Sequence, residues 1–259
     1  MNQAVFLNTL RNGQIGLIWY LVAAFVGVAA GGAGLSTLQG ENGVALAEII
    51  KSLPPALLSA FKINISSFLS PIGFIASRSL GLFIPLILIA FAAGSAGSLS
   101  QLIERGTIHF ELSLPIARWR WLLSRILAAT LSLFCILLLI TIALYLFTPA
   151  QWWRYGIYGF AFGFLWLGLA YGIAAFTRER STLTTLVFGF FALQYLISIL
   201  TSTNQNSQWL AQFSLWSAYQ PETIMITGLP WWTVFSWLGL GALGIAVSLV
   251  QWQKRDLPA

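Results

Sequence analysis

The sequence predicts an all-helical membrane protein with six spans, and three observations carry that expectation. Hydrophobic residues fill 58% of the 259 positions, with 12 Trp and 19 Phe among them. Charged residues make up only 8%. Those few charges are also spaced so that long uncharged runs lie between them, as they must when an ionisable group at the bilayer centre costs at least about 2.5–3.5 kcal/mol.

The runs 12–40, 79–103, 126–153, 155–177, 181–221 and 223–253 contain no Asp, Glu, Lys or Arg. Since a span needs about 20 mostly apolar residues, helices are expected at 14–34, 79–101, 126–148, 156–177, 181–200 and 231–251. In the fifth run "TSTNQNSQ" (201–208) is too polar for hydrocarbon and divides a span from a loop. For the first run a cleaved signal peptide is the alternative, because "GVAAGGAG" supplies small residues after an apolar core. Arg11 stands far from Met1 and the run is long enough to cross, so it is read as a span. Ahead of it, "NQAVFLNTLRNG" can form a short amphipathic helix on the membrane surface. Residues 1–259 are read as a single transmembrane domain, with connecting segments 35–78 and 201–230 on one side and 102–125 on the other.

Nine Lys and Arg flank the ends that carry the termini and the 102–125 loop, against four at the opposite ends. The positive-inside bias therefore puts both termini and that loop in the cytoplasm. The net charge of +6 is an orientation signal, with no soluble basic face to bind nucleic acid. Residues 43–77, interrupted by Pro54, Pro55 and Pro71, are expected to form interfacial helices, and 209–231 to dip back into the outer leaflet; either could cap a translocation path, with simple interfacial anchoring as the alternative.

Missing residue types exclude several functions. His109 is the sole histidine, which leaves too few ligands for a multi-histidine metal site or a bis-histidine haem. It is expected in the 102–125 loop, out of reach of an intramembrane serine protease chemistry. Lys51, Lys62 and Lys254 follow Ile50, Phe61 and Gln253, whereas a phosphate-binding P-loop has glycine before its lysine. No ionisable group is expected at depth in any span, which disfavours a self-powered transporter coupled through buried charges. Cys135 alone permits no disulfide within the chain and is read as a packing residue. A polytopic protein with these absences should borrow its energy.

The stretch "IERGTIHFELSLPIARWRWLLSR" (103–125) resembles the loop between the second and third helices of ABC-2 type permeases, whose pattern is roughly E-x-G-T-L-E-L-L-L-S-L-P-hydrophobic-S-R. Glu104, Gly106, Thr107, Leu112, Ser113, Leu114, Pro115 and Arg118 fall in register; His109 replaces a common acid and Glu111 a common leucine. "KSLPPALLSAF", "SPIGFIASRSLGLFIPLILIAFAAGSAGS" and the tail "QWQKRDL" look like the family's external loop, second helix and basic C-terminus.

The resemblance implies a six-helix ABC-2 permease fold with an N-terminal elbow helix and a cytoplasmic coupling helix at about 107–114. It implies a non-catalytic subunit of a bacterial inner-membrane exporter. An ABC ATP-binding subunit would hold ATP and Mg, and a second permease copy or a paralogue would complete the assembly. Glu104, Arg105, Gly106, Thr107, His109, Glu111, Pro115 and Arg118 would then serve ATPase coupling. In that role Gly106 permits a tight turn, Thr107 caps the short helix, Pro115 ends it, and Glu104 and Arg118 pair across its ends or touch the ATPase. Trp119 and Trp121 are expected at the headgroup level. On the fifth helix Thr184, Thr185, Gln194 and Ser198 form the most polar face; Thr184, Gln194 and Ser198 are candidates for the substrate path, with an interhelical hydrogen bond as the alternative for Gln194. The rival functions are a non-transport scaffold or assembly factor, and a stand-alone secondary transporter.

Overall fold

A computed structural model describes residues 2–35, 41–54, 57–58, 68, 70–108, 111 and 116–255, none of them in a strand. The helices are α1 (Gln3–Ala33), α2 (Glu41–Ser52), α3 (Pro71–Ile75), α4 (Phe83–Glu104), α5 (Arg118–Phe147), α6 (Trp153–Ala174), α7 (Arg180–Thr203), α8 (Leu215–Ala218), α9 (Pro221–Thr227) and α10 (Trp231–Lys254). Six helical stretches are long and apolar enough to cross a membrane: α1, the stretch Pro71–Glu104, α5, α6, most of α7, and α10.

Each expected span is present, and most are longer than the charge gaps suggested. Helices extend past the hydrocarbon until a cap or breaker stops them, so α4 runs on to Glu104 and α5 begins at Arg118, leaving a connection of 105–117. The N-terminal elbow is not a separate element. Asn2 caps the helix by accepting from Val5 N at 3.2 Å, and α1 then continues unbroken to Ala33. No proline interrupts it, and Gly13 and Gly16 lower helix propensity without stopping a helix that packs along α5.

The second span is irregular near its start. A π-helical turn, Ala76–Leu80, follows α3, and a regular helix resumes at Phe83. Pro85 thus sits in the first turn of α4, where its missing N–H breaks little; the irregularity lies just before it. Pro71 opens α3 behind a Ser70 cap, and α2 ends before Pro54; Pro55 and Lys62 lie outside the described residues.

The core is made where α4, α5 and α6 meet α1 and α10. Several helix glycines pack closely against other helices of the same chain. A Cβ on Gly168 would collide with the backbone carbonyl of Gly241, and one on Gly244 with that of Gly168, so α6 and α10 cross with backbones in contact. Gly27 and Gly31 receive Phe83 and Ser79, whose hydroxyl donates to Gly27 O at 2.9 Å. Cys135 is exposed on α5, turned out of the bundle.

Candidate functional site

The 105–117 connection begins with a backbone reversal that only a few residues tolerate. Arg105 N and Gly106 N donate to Gln101 O and Ile103 O, and Gly106 adopts φ 66°. Glycine has no Cβ to clash in this left-handed region. Thr107 serves the helix behind it: its hydroxyl donates to Leu102 O at 3.4 Å, so it closes the end of α4, where capping of the next helix was expected. Ile108 and Glu111 are helical, in keeping with a short helix in the connection; His109, Leu112, Ser113, Leu114 and Pro115 lie outside the described residues.

Three side chains fasten the connection to the bundle. Ile108 is buried in the core, and Ile116 packs against the same core at the other end. Between them Glu111 accepts from Trp121 Nε1 at 3.0 Å and from Arg125 Nη1 at 3.3 Å. Arg125 continues to α4, donating from Nη2 to Ser98 Oγ at 3.1 Å. The carboxylate that replaces the family's leucine is therefore compensated by an arginine whose side chain is only 11% exposed.

The same arginine starts a stack of four groups. Its guanidinium lies 5.0 Å from the Trp121 ring centre, Trp121 stacks on Trp252 at 5.9 Å with 12° between planes, and Arg255 lies 5.9 Å from the Trp252 ring. Arg255 then donates to the last carbonyls of α6, Ala174 and Ala175 at 3.2 Å each, and to Thr177 O at 2.8 Å. Burial first, and the charge of Arg178 second, lower its pKa from the ordinary value; a guanidinium remains charged regardless. Trp121 is 1% exposed, so it is a packing residue and not the headgroup-level indole expected; Trp119, 39% exposed, is free to take that place.

Glu104 and Arg118 do not pair. Glu104 Oε2 accepts the backbone N–H of Arg180 at 3.4 Å, placing a carboxylate on the positive end of α7, and Arg118 donates to Arg255 O at 3.2 Å. Arg105 is exposed. The backbone N–H of Asn2 donates to Ser124 Oγ at 2.9 Å, so both chain ends and the 105–117 connection share one end of the bundle.

The α7 candidates do not converge. Gln194 and Ser198 are buried one turn apart, while half-buried Thr184 lies about 15 Å along the axis from Gln194. Gln194 makes an interhelical bond, its Oε1 accepting Leu215 N at 2.9 Å, and its carbonyl accepts Ser214 Oγ at 3.1 Å. It thereby holds the segment that follows α7, whose Tyr219 donates to Leu80 O at 2.8 Å and whose Ala218 O accepts from Tyr158 at 2.7 Å. Trp216 and Tyr219 are buried among aromatic side chains of α6, α7 and α10, whereas Trp209 and Phe213 are exposed.

Arg125, Trp252 and Arg255 are the site residues that sequence reading passed over. Their signal was present, since Trp121/Arg125 and Trp252/Arg255 are spaced four and three residues apart on helix ends and so share a face. What no spacing revealed is that α5 and α10 put the two pairs side by side.

A family model described as "ABC-2 family transporter protein" matches residues 6–257. No curated protein gives a significant match.

Proposed function

The chain belongs to the ABC-2 family of transporter proteins, and on that premise we propose that it is the membrane-spanning permease subunit of an ATP-driven exporter. ATP, with Mg, is hydrolysed in a separate ABC ATP-binding subunit, and a second permease copy or a paralogue completes the path. The protein sits in the bacterial inner membrane with its termini and the 105–117 connection in the cytoplasm, the side favoured by the excess of Lys and Arg.

The observation that supports this reading best is the attachment of the connection. A loop that transmits force must not yield when pushed. This one is pinned by Ile108, Ile116 and the Glu111–Arg125 pair, and Arg125 reaches both α4 and the Trp121–Trp252 stack. A displacement of the connection is thereby delivered to α4, α5 and α10 together. Glu104, through Arg180, extends it to α7. The exposed Arg105 and Arg118 face the ATPase in this proposal, with Gly106 and Thr107 shaping the turn, and the same coupling role is assigned to His109 and Pro115 from the sequence alone.

The experiment is reconstitution with the candidate ATPase. Co-purification, and ATP turnover that depends on the permease, are expected. A permease that moves cargo fully without any ATPase would overturn the proposal.

A further inference from the structure

Beside the pinned connection lies a cavity of about 390 Å³ between α1, α4 and α5, closed at one side by Tyr171 and Arg180. Its wall is unusual for a span region: it presents two guanidinium groups, Arg125 and Arg180, with the amides of Asn8, Asn12 and Gln101. The single carboxylate, Glu111, is already engaged by Trp121 and Arg125, so the lining keeps one uncompensated positive charge and an excess of donors. Arg125 Nε is buried and finds no acceptor among the described residues. Arg180 gives Nη1 to Gln101 Oε1 at 3.2 Å, and its other side-chain donors find no acceptor among the described residues.

We propose that this cavity is a binding site for a phosphate-bearing anion, held by Arg125 and Arg180. The chemistry is specific in sign. A cation would meet two arginines and a carboxylate already occupied, and an apolar molecule would strip water from the arginines and amides without replacing its hydrogen bonds. A phosphate takes a guanidinium in paired hydrogen bonds and also accepts from amides. The depth fits as well. Gln101 lies in the last turn of α4, at the rim, and Ser132 lies about 20 Å along α5 from its first residue. On the α1 side Gly13 and Gly16 are exposed, with nothing within 4 Å of a Cβ built on either, so the cavity opens laterally there. A lipid headgroup enters by that opening with its acyl chains left outside. A free phosphate enters by the rim. The inference goes beyond the proposed transport role and holds for either direction of cargo.

The test uses the full chain in nanodiscs of phosphatidylcholine, titrated with phosphatidylglycerol and, separately, with inorganic phosphate, and read by native mass spectrometry and melting temperature. Phosphatidylglycerol or inorganic phosphate is expected to bind and raise the melting temperature. Binding of the lipid alone identifies a headgroup; binding of both equally identifies the free anion. R180Q, which removes an exposed side chain, is expected to weaken binding by about tenfold, roughly 1.4 kcal/mol. Because Arg125 is also structural, the second variant is Gly16→Leu, which favours the helix and fills the mouth; it should abolish binding with the fold intact. Equal binding of phosphatidylglycerol and phosphatidylcholine with no binding of inorganic phosphate, or affinity unchanged in both variants, overturns the site.

Discussion

Arg125 Nη1 donates to Glu111 Oε2 at 3.3 Å, and the same oxygen takes the Trp121 indole N–H at 3.0 Å. One carboxylate thus satisfies a buried cation and a buried indole at once, and it does so from the connection between two spans. Removing it leaves two donors inside the protein without an acceptor.

Glu111→Ala is therefore expected to lower stability by about 1–3 kcal/mol. Glu111→Gln keeps an oxygen for the indole but loses the charge, and should fall between the two. Melting curves of the purified permease check the ranking. An alanine variant as stable as the parent would mean that water replaces the carboxylate at no cost. In assembled complexes the same variant should lower permease-dependent ATP turnover more than Arg105→Ala, because Glu111 ties the connection to the spans and the exposed Arg105 does not.

Gly106 predicts a different pattern. A Cβ there meets nothing within 4 Å, so the cost of Gly106→Ala comes from the backbone alone, at φ 66°. That cost is about 1–2 kcal/mol, and Asn should recover part of it. Global melting should move little while hydrogen exchange at 105–108 rises; a large melting shift in Ala with no recovery in Asn would contradict the assignment of strain.

Arg255 closes the end of α6 with a planar group that reaches three carbonyls. Lysine offers a point charge and cannot span them. Arg255→Lys and Arg255→Gln are accordingly expected to destabilise by similar amounts, about 1–2 kcal/mol, with faster exchange at 174–177. Full rescue by lysine would show that charge at the helix end matters and geometry does not.

The charge gaps made the spans legible because each gap has a physical cause, the cost of ionised groups in lipid. What they left out follows a second cause. Helix ends are set by caps and breakers, so Asn2, Gly106 and Ser70 decide where α1 starts, α4 stops and α3 begins, and the elbow merges into α1. Pairing across the bundle was illegible for a third reason. Arg125, Glu111, Trp252 and Ser98 are far apart in the chain, and spacing within one helix says nothing about which helix lies beside it. Hence Glu104 and Arg118, expected to pair with each other or to touch an ATPase, each bond a residue from another helix end, Arg180 and Arg255.

Gln194 offers the last and sharpest choice, between lining a path and holding the segment that follows α7. Its Oε1 accepts Leu215 N at 2.9 Å while only 6% of the residue is exposed. A group that moves cargo must present its polar atoms to the path, and the Oε1 of this one is committed to the N-terminus of α8. Gln194→Leu keeps the volume and deletes the acceptor, leaving Leu215 N–H buried without it, at a cost of about 1–3 kcal/mol. Exchange should quicken at 214–219, where Tyr219 and Ser214 make the neighbouring bonds. Gln194→Glu keeps an acceptor oxygen and should hold the segment in place while adding a buried charge. If both variants leave exchange at 214–219 unchanged yet alter which cargo is moved, Gln194 belongs to the path; if only the leucine variant loosens the segment, it is a structural residue, as its hydrogen bonds predict.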